Sequence, residues 1–246
     1  MTGTGQEQFF NVGISYKKAD AETRGKFSLS KEHQIALLHK SRKIGVTGAF
    51  VISTCNRTEI FGFANRPCLL MELLCEFSEG TNKELVTIAN IHKDEEAIQH
   101  LFRIGTGLDS QILGDYEIVG QLRKSFKLSQ DLKMTNAYTE RLINSVLQAS
   151  KRIKNETKLS SGTTSVSYAA VQYIVKNIPD YDTNNILVFG LGKMGKYTCK
   201  NLAEYTQNNS VTLINRTEFK TAEFVNQHSS IKKALIENLE KEIEKT

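Results

Sequence analysis

Short apolar runs and helical stripes of apolar residues alternate along the first part of the chain. Apolar, β-rich runs at 9–15, 49–54 and 59–64 predict three strands. Apolar residues at helical spacing, with Ser30 and Asp94 as candidate N-caps, predict several helices. These helices cover residues 31–44, 69–77, 94–104, 117–128 and 136–157. The segment 105–114 holds three glycines and is predicted to be a loop.

A glycine-rich turn marks the second part of the chain. An apolar run at 185–189 leads directly into Gly190-Leu191-Gly192-Lys193-Met194-Gly195, then into a helical segment and a second apolar run at 211–214. G-x-G-x-x-G between a strand and a helix is the pattern of dinucleotide-binding folds. Its glycines permit a tight turn, approach of a pyrophosphate and close helix–strand packing, and the helix N–H groups bind the phosphates. A turn used only for packing is the alternative.

The residues after the second of these strands bear on the choice of cofactor. An acidic residue at this position binds the ribose hydroxyls of NAD, whereas this chain has Asn215-Arg216-Thr217. No carboxylate would repel a 2′-phosphate there, Arg216 can pair with it, and Asn215 and Thr217 can add hydrogen bonds. The pattern favours NADP, with an ordinary exposed Arg216 as the alternative.

The small polar stretch at 160–164 predicts a boundary between two domains, 1–160 and 161–246. A doubly wound dinucleotide fold needs more strands than follow residue 214. We therefore expect the second domain to be incomplete and the sequence to be a fragment or an incompletely recorded chain. Such a chain is expected to bind a dinucleotide weakly.

Composition and charge narrow the function classes. Hydrophobic residues at 39% and charged residues at 24% are typical of a folded globular chain, and no apolar run approaches membrane-spanning length. The formal net charge is +5, and residues 119–158 hold nine basic against three acidic side chains. This local excess favours a polyanion such as RNA, with a solvated helix face as the alternative.

The four cysteines form no CxxC pair, so no zinc site is predicted. The N-terminal residues lack the pattern of a secretory signal. We therefore expect free thiols and a cytoplasmic location.

Cys55 lies between two predicted strands, beside Asn56 and Arg57. A thiol at a strand end next to a cation can act as a nucleophile, and an inert buried cysteine is the alternative. The wider string Ser-Thr-Cys-Asn-Arg-Thr-Glu-Ile at 53–60 resembles the signature of glutamyl-tRNA reductases. Three other segments resemble the same family: 13–17 with Arg24, 100–121, and 165–171.

The resemblance implies an α/β fold, with an N-terminal ferredoxin-like α+β catalytic domain followed by a Rossmann-like NADP-binding domain. Family members also carry a C-terminal domain, absent here, that forms homodimers. They use NADPH to reduce glutamyl-tRNA(Glu) to glutamate-1-semialdehyde and release the tRNA, which begins the five-carbon route to tetrapyrroles. The aminotransferase that consumes the semialdehyde is a further expected partner, and no membrane is expected.

The resemblance also implies roles for individual residues. Cys55 is the nucleophile that forms a thioester, and His100 matches a histidine that supports activity. On its residue type alone, His100 on a helix face could equally be structural. Arg57 is expected to bind a substrate carboxylate, with an ion pair to Glu59 as the alternative. The remaining expected substrate contacts are Thr54, Asn56, Ser110, Asp115, Tyr116, Glu117 and Gln121.

One departure from the family pattern concerns the substrate segment. The family commonly has Glu-Pro-Gln after the glycine that matches Gly114, whereas this chain has Asp115-Tyr116-Glu117. The substrate contacts of this segment are therefore less firmly implied than those of the cysteine turn.

Two other functions would fit part of the sequence. A different NADP-dependent oxidoreductase would explain the glycine turn but not the cysteine string or the basic helices. A noncatalytic tRNA-binding or regulatory fragment would keep the framework without the chemistry. Acylation of Cys55 by glutamyl-tRNA distinguishes both from the reductase.

Overall fold

The computed structural model describes residues 7–157, 166–205 and 210–246. The chain divides into two compact units, residues 1–161 and 162–246. The polar stretch at 160–164, where a domain boundary was predicted, lies outside the described residues.

The first unit is built on four strands, β1 (Gln8–Ser15), β2 (Thr47–Ser53), β3 (Arg57–Ala64) and β4 (Asn90–Lys93). They form an antiparallel sheet in the order β2-β3-β1-β4. The helices α1 (Ala21–Lys26) and α2 (Lys31–Lys43) connect β1 to β2, and α3 (Cys68–Glu76) and α4 (Asn82–Ile88) connect β3 to β4. This β-α-β-β-α-β order, with β4 beside β1, is a ferredoxin-like arrangement.

Three further helices follow the sheet: α5 (Glu95–Gly105), α6 (Glu117–Asp131) and α7 (Ala137–Glu156). They pack on the face that carries Phe61, whereas α2 and α3 pack on the opposite face, which carries Ile60. Successive strand residues point to opposite faces. Arg57 and Glu59 therefore share the face of Phe61, towards α5.

Of the two predicted N-caps, Ser30 is confirmed and Asp94 is not. The Ser30 hydroxyl accepts a hydrogen bond from His33 N, and Asn136 forms a capping box with Thr139. The expectation that Asp94 caps its helix through its side chain was wrong. Asp94 has φ 46°, and its carboxylate accepts from Phe9 N at 3.1 Å, which ties the start of α5 to β1 instead.

The second unit contains a three-stranded parallel sheet whose strands lie side by side in chain order. Helices pack around a core that includes Val171, Leu202 and Leu213. The elements are α8 (Val166–Asn177), β5 (Ile186–Phe189), α9 (Lys193–Tyr205), β6 (Val211–Ile214), α10 (Glu218–Asn226), β7 (Ile231–Ala234) and α11 (Leu239–Ile243). Together with the first unit this confirms the predicted α/β class.

Four short elements, α1, α4, β4 and β7, were not predicted from the sequence. Each is at most seven residues long, too short for a clear apolar period. None of the described helices has the length and apolar character needed to cross a membrane.

Candidate active site

The connection between β2 and β3 presents Cys55 at the tip of a fixed turn. Thr54 N donates to Arg57 O at 2.8 Å, which closes the turn. The Thr54 hydroxyl accepts from the backbone N–H groups of Asn56 and Arg57, both at 3.2 Å. Cys55 itself is exposed. The local sequence therefore holds the backbone of the turn and leaves the thiol accessible.

Two residues from outside the turn brace it further. Arg24 Nε donates to Cys55 O at 2.9 Å, and its Nη1 donates to Ala19 O at 2.6 Å. Tyr16 N donates to Asn56 O at 2.9 Å. Arg24 therefore connects the cysteine backbone to the segment that follows β1.

The other three thiols are less suited to nucleophilic chemistry. Cys199 is buried, and burial raises its pKa to about 12. Cys68 and Cys75 are partly buried, and burial together with the nearby Glu84 charge raises the pKa of Cys75. All four cysteines lie within the described residues, and Cys55 is the exposed one.

Arg57 is held in a buried charge cluster. Its side chain is 2% exposed, and its Nη1 donates to Glu59 Oε1 at 2.9 Å and to Asp109 Oδ2 at 3.0 Å. Its Nη2 donates to the Asp109 carbonyl. The alternative role, an ion pair with Glu59, is thus present, and Asp109 is an additional partner that the sequence did not reveal. Binding of a substrate carboxylate by Arg57 stays a prediction.

Glu59 links this cluster to His100. Its Oε2 accepts from Asn11 Nδ2 at 2.9 Å and lies 2.8 Å from His100 Nε2. Burial favours a raised pKa for this carboxyl. The hydrogen bond and charge of His100 and the charge of Arg57 outweigh burial, so the pKa of Glu59 lies below its ordinary value. Because the carboxylate is ionised, His100 Nε2 carries the hydrogen.

His100 also lies close to two other aromatic rings. Its centroid is 6.3 Å from that of Phe61 and 4.5 Å from that of His92. Burial and the nearby His100 charge lower the pKa of His92. The ring of His100 is thus held by the carboxylate of Glu59 and by contacts with two aromatic rings.

A closed loop brings Asp109 and Ser110 to this cluster. Gly114 N donates to Gly107 O at 3.0 Å, and a Cβ on Gly107, which has φ 75°, would come within 3.1 Å of the Gly114 backbone. Asp109 also pairs with Lys17. Burial opposes ionisation of Asp109, but Lys17 and Arg57 together hold its pKa below the ordinary value. Ser110 is partly buried beside it.

The residues that depart from the family pattern are used mainly for local structure. Asp115 Oδ1 accepts from Glu117 N at 3.0 Å at the start of α6. The Tyr116 hydroxyl donates to the Ser150 carbonyl of α7, and Lys154 Nζ lies 5.0 Å from the centre of its ring. These contacts orient Tyr116 towards α7, and substrate contacts of the segment stay predictions.

Gln121 lies in a different place from the charge cluster. It is exposed on α6 and lines a cavity of about 610 Å³, together with Ser53 at the end of β2. Of the predicted site residues, Thr54, Asn56 and Arg57 thus lie on the cysteine turn. His100 and the loop that carries Ser110 adjoin the charge cluster of Arg57, whereas Gln121 lines a neighbouring groove.

Sequence reasoning assigned no role to Asp109 or Asn11. It named Glu59 only as an alternative partner of Arg57, and Arg24 only as part of a segment that resembles the family. The available signal was the spacing of Arg57 and Glu59, which puts two opposite charges on one face of a strand that is otherwise apolar. Such charges are rarely buried without partners. The identity of those partners depends on contacts far apart in sequence.

The glycine turn of the second unit follows β5 as predicted. Gly190 has φ 100°, and a Cβ on Gly195 would lie 2.0 Å from Gly190 O, so both positions require glycine. A Cβ on Gly192 would meet no heavy atom within 4 Å. The turn therefore leaves open space beside Gly192, at the start of α9, as a phosphate requires.

The end of β6 is joined to this turn. Leu191 N donates to Asn215 Oδ1 at 3.1 Å, and Asn215 Nδ2 donates to Thr217 O at 3.0 Å. Arg216 is exposed and has no described carboxylate within 4 Å. The residues at the carboxyl ends of two adjacent parallel strands thus fit a dinucleotide with an additional phosphate. Lys193 and Met194 complete the turn at the first positions of α9.

Comparisons with known proteins agree with this geometry. The family model described as glutamyl-tRNAGlu reductase, N-terminal domain, matches residues 12–157, and that of shikimate/quinate 5-dehydrogenase matches residues 172–246. A glutamyl-tRNA reductase from Christiangramia forsetii is 52% identical over 92% of this chain and 54% of its own length. One from Bacillus subtilis is 33% identical over 91% of this chain and 50% of its own.

A solved structure shows the same fold. The glutamyl-tRNA reductase from Methanopyrus kandleri aligns with a TM-score of 0.61 and 24% identity, over 97% of this chain and 56% of that one. The present chain spans about half the length of the curated relatives it matches. The match of the N-terminal family model to more than half of the chain is decisive: this chain belongs to the glutamyl-tRNA reductase family.

Proposed function

We propose that this chain carries the acyl-accepting and NADP-binding parts of a glutamyl-tRNA reductase. The reaction is the NADPH-dependent reduction of glutamyl-tRNA(Glu) to glutamate-1-semialdehyde with release of tRNA. The observation that carries the proposal is the exposed Cys55 thiol on a turn fixed by Thr54 and Arg24. Beside it lies a buried charge cluster that ends at His100.

Acyl transfer would occur at Cys55. Its thiolate attacks the ester carbonyl of glutamyl-tRNA, a carbon–sulfur bond forms, and the terminal ribose oxygen of the tRNA leaves and takes up a proton. The thioester is more readily reduced than an amide or a carboxylate, so covalent catalysis prepares the acyl group for the next step. NADPH, when bound, would supply the hydride that reduces the thioester. The aldehyde forms as the Cys55 thiolate departs.

Neighbouring residues would orient the glutamyl group. Asn56 and the Thr54 hydroxyl lie on the turn itself, and Ser110 is carried by the loop next to Arg57. Arg57 has two carboxylate partners inside the protein, so we propose that it chiefly positions Glu59 and the loop. Glu59 holds the Nε2 edge of the His100 ring, so Nδ1 is the ring nitrogen that we propose faces the substrate.

The cofactor would bind in the second unit. Open space at Gly192 and the N–H groups at the start of α9 suit the pyrophosphate. Arg216 suits the 2′-phosphate, with Asn215 and Thr217 holding the strand end in place. We accordingly assign residues 1–160 to the catalytic domain and 161–246 to the NADP-binding domain.

Acylation without NADPH tests the proposal directly. The chain is incubated with tRNA charged with labelled glutamate, and label on the protein is counted after denaturation. We expect label that hydroxylamine releases, that is lost in Cys55→Ser and that persists in the matched variant Cys68→Ser. Label that remains in Cys55→Ser would place the nucleophile elsewhere, and an unlabelled parent chain would refute the reaction.

A further inference from the structure

A groove runs between α2 and α6 beside the cysteine turn. Its volume is about 610 Å³, within the range of ~300–1,000 Å³ that ligand sites occupy. One wall is α6, where Gln121, Lys124 and Leu128 recur at helical spacing and share a face. The opposite wall is formed by Lys31 and Gln34 at the start of α2.

The groove carries an excess of positive charge. Its lining has four cations, Lys31, Arg123, Lys124 and Lys127, and a single carboxylate, Asp131. Asp131 is matched by Lys127, whose Nζ lies 2.8 Å from its Oδ1. No described carboxylate lies within 4 Å of the other three cations. The net charge of the groove therefore rests on exposed and unmatched side chains.

The groove reaches the end of the strand that leads to the nucleophile. Ile52 and Ser53, the last two residues of β2, line it, and Cys55 follows only two positions after Ser53. The Ser53 hydroxyl is fixed by Leu29 N at 3.0 Å and by the Thr58 hydroxyl at 3.2 Å. A ligand that occupied the groove would thus reach the turn on which the acyl transfer is proposed to occur.

We infer that this groove holds the sugar–phosphate backbone of the nucleotides next to the aminoacylated end of the RNA. The inference rests on the proposed function and specifies how its substrate is held. Spaced cations suit successive phosphates, and the apolar Ile52 and Leu128 suit ribose. The lining contains no aromatic side chain on which a base could stack, so the contacts are to the backbone and independent of base sequence.

The test compares two double variants that remove the same charge. Lys31→Gln/Lys124→Gln removes two unmatched groove cations, and Lys43→Gln/Lys83→Gln removes two exposed lysines outside the groove. Each is given two acyl donors: glutamyl-tRNA, and the small α-thioester of glutamate with N-acetylcysteamine. The rate of Cys55 acylation is measured with both donors, and binding of uncharged tRNA is measured from 50 to 200 mM salt.

We expect the groove variant to lose about tenfold or more in acylation by glutamyl-tRNA, with no change for the small thioester. The slope of log affinity against log salt should fall by about 1 for each lysine removed. The control pair should match the parent chain in both assays.

Three results would overturn the inference. These are unchanged acylation by glutamyl-tRNA in the groove variant, an equal loss with the small thioester, or an equal loss in the control pair. Tighter binding of polyglutamate than of tRNA would reassign the groove to an acidic protein partner. If the parent chain accepts acyl groups from neither donor, the proposed function fails. The inference can still be tested, because the slope of log affinity for uncharged tRNA against log salt should differ between the groove variant and the control pair.

Discussion

His100 Nε2 and Glu59 Oε2 lie 2.8 Å apart, joining a helix to a strand from positions that are 41 residues apart in the sequence. The same carboxylate accepts from Asn11 and pairs with Arg57. One buried side chain therefore fixes both the ring of His100 and the residue that closes the cysteine turn.

Glu59→Gln should weaken this arrangement. The amide keeps the size of the side chain but leaves Arg57 with Asp109 as its remaining carboxylate partner, and it places an N–H₂ group among donors. We expect a loss of about 1–3 kcal/mol in the free energy of unfolding, measured with urea. Glu76→Gln, which removes one partner of a surface pair with Lys40, should have little effect.

The effect of Glu59 should depend on pH with a defined sign. Its pKa is lowered in the folded chain, so its contribution is present above its ordinary value of about 4.5 and is lost as the pH falls through the folded value. The stability difference between the parent chain and Glu59→Gln should therefore be constant near neutral pH and shrink below about pH 4.5. A difference that grows on acidification would contradict the ionised state.

Gly13→Ala should disrupt the sheet beneath the active site. Gly13 pairs with Glu59 across β1 and β3, and a Cβ would lie 2.2 Å from Thr58 O and 2.5 Å from Glu59 Cα. We expect a loss of about 3 kcal/mol or more in urea unfolding, because both neighbours are backbone atoms. Gly25→Ala in α1, which meets no atom within 4 Å, should instead stabilise the chain by about 0.5–1 kcal/mol.

Gly192 and Gly195 in the glycine turn should respond differently to substitution by alanine. In Gly195→Ala the Cβ would lie 2.0 Å from Gly190 O, so the turn must shift, and both folding of the second unit and NADPH binding should suffer. In Gly192→Ala the methyl group enters open space, so folding should be kept while NADPH binding falls about tenfold through loss of the phosphate approach. Circular dichroism and NADPH fluorescence measure the two effects. Equal NADPH affinity in Gly192→Ala and the parent would remove Gly192 from the cofactor site.

The four thiols should react in a fixed order. Cys55 is exposed, Cys68 and Cys75 are partly buried, and Cys199 is buried with a pKa of about 12. Brief treatment with iodoacetamide at pH 8, followed by mass spectrometry of peptides, should find Cys55 modified first and Cys199 only after unfolding. Labelling of Cys68 ahead of Cys55 would show that the turn is less accessible than described.

The sequence predicted best those features that depend on neighbouring residues. The Ser30 cap, the run of β3 and the glycine turn after β5 each follow from spacing within about ten positions, and each is confirmed. The charge cluster was only partly predicted. Arg57 and Glu59 are two residues apart and their pairing was foreseen as an alternative, but Asp109 reaches them from 52 positions away.

Asp94 shows how a contact distant in sequence can override a local signal. Its type and place before a helix indicate a side-chain cap, yet the adjoining strand offers the unpaired Phe9 N–H, and the carboxylate binds that group. Tertiary contacts of this kind compete with local signals and leave no periodic mark in the sequence.

The two ends of the loop that carries Ser110 lie close together in the first unit. Gly107 and Gly114 lie against each other there, and the hydrogen bond between them closes the eight-residue span from 107 to 114. The segment 115–117 follows this closure. The carboxylate of Asp115 accepts a hydrogen bond from Glu117 N at the start of α6, and the hydroxyl of Tyr116 donates to Ser150 O in α7. The hydrogen bond that closes the loop does not involve the side chain of Tyr116, so a different side chain at position 116 should leave the closure of the loop unchanged.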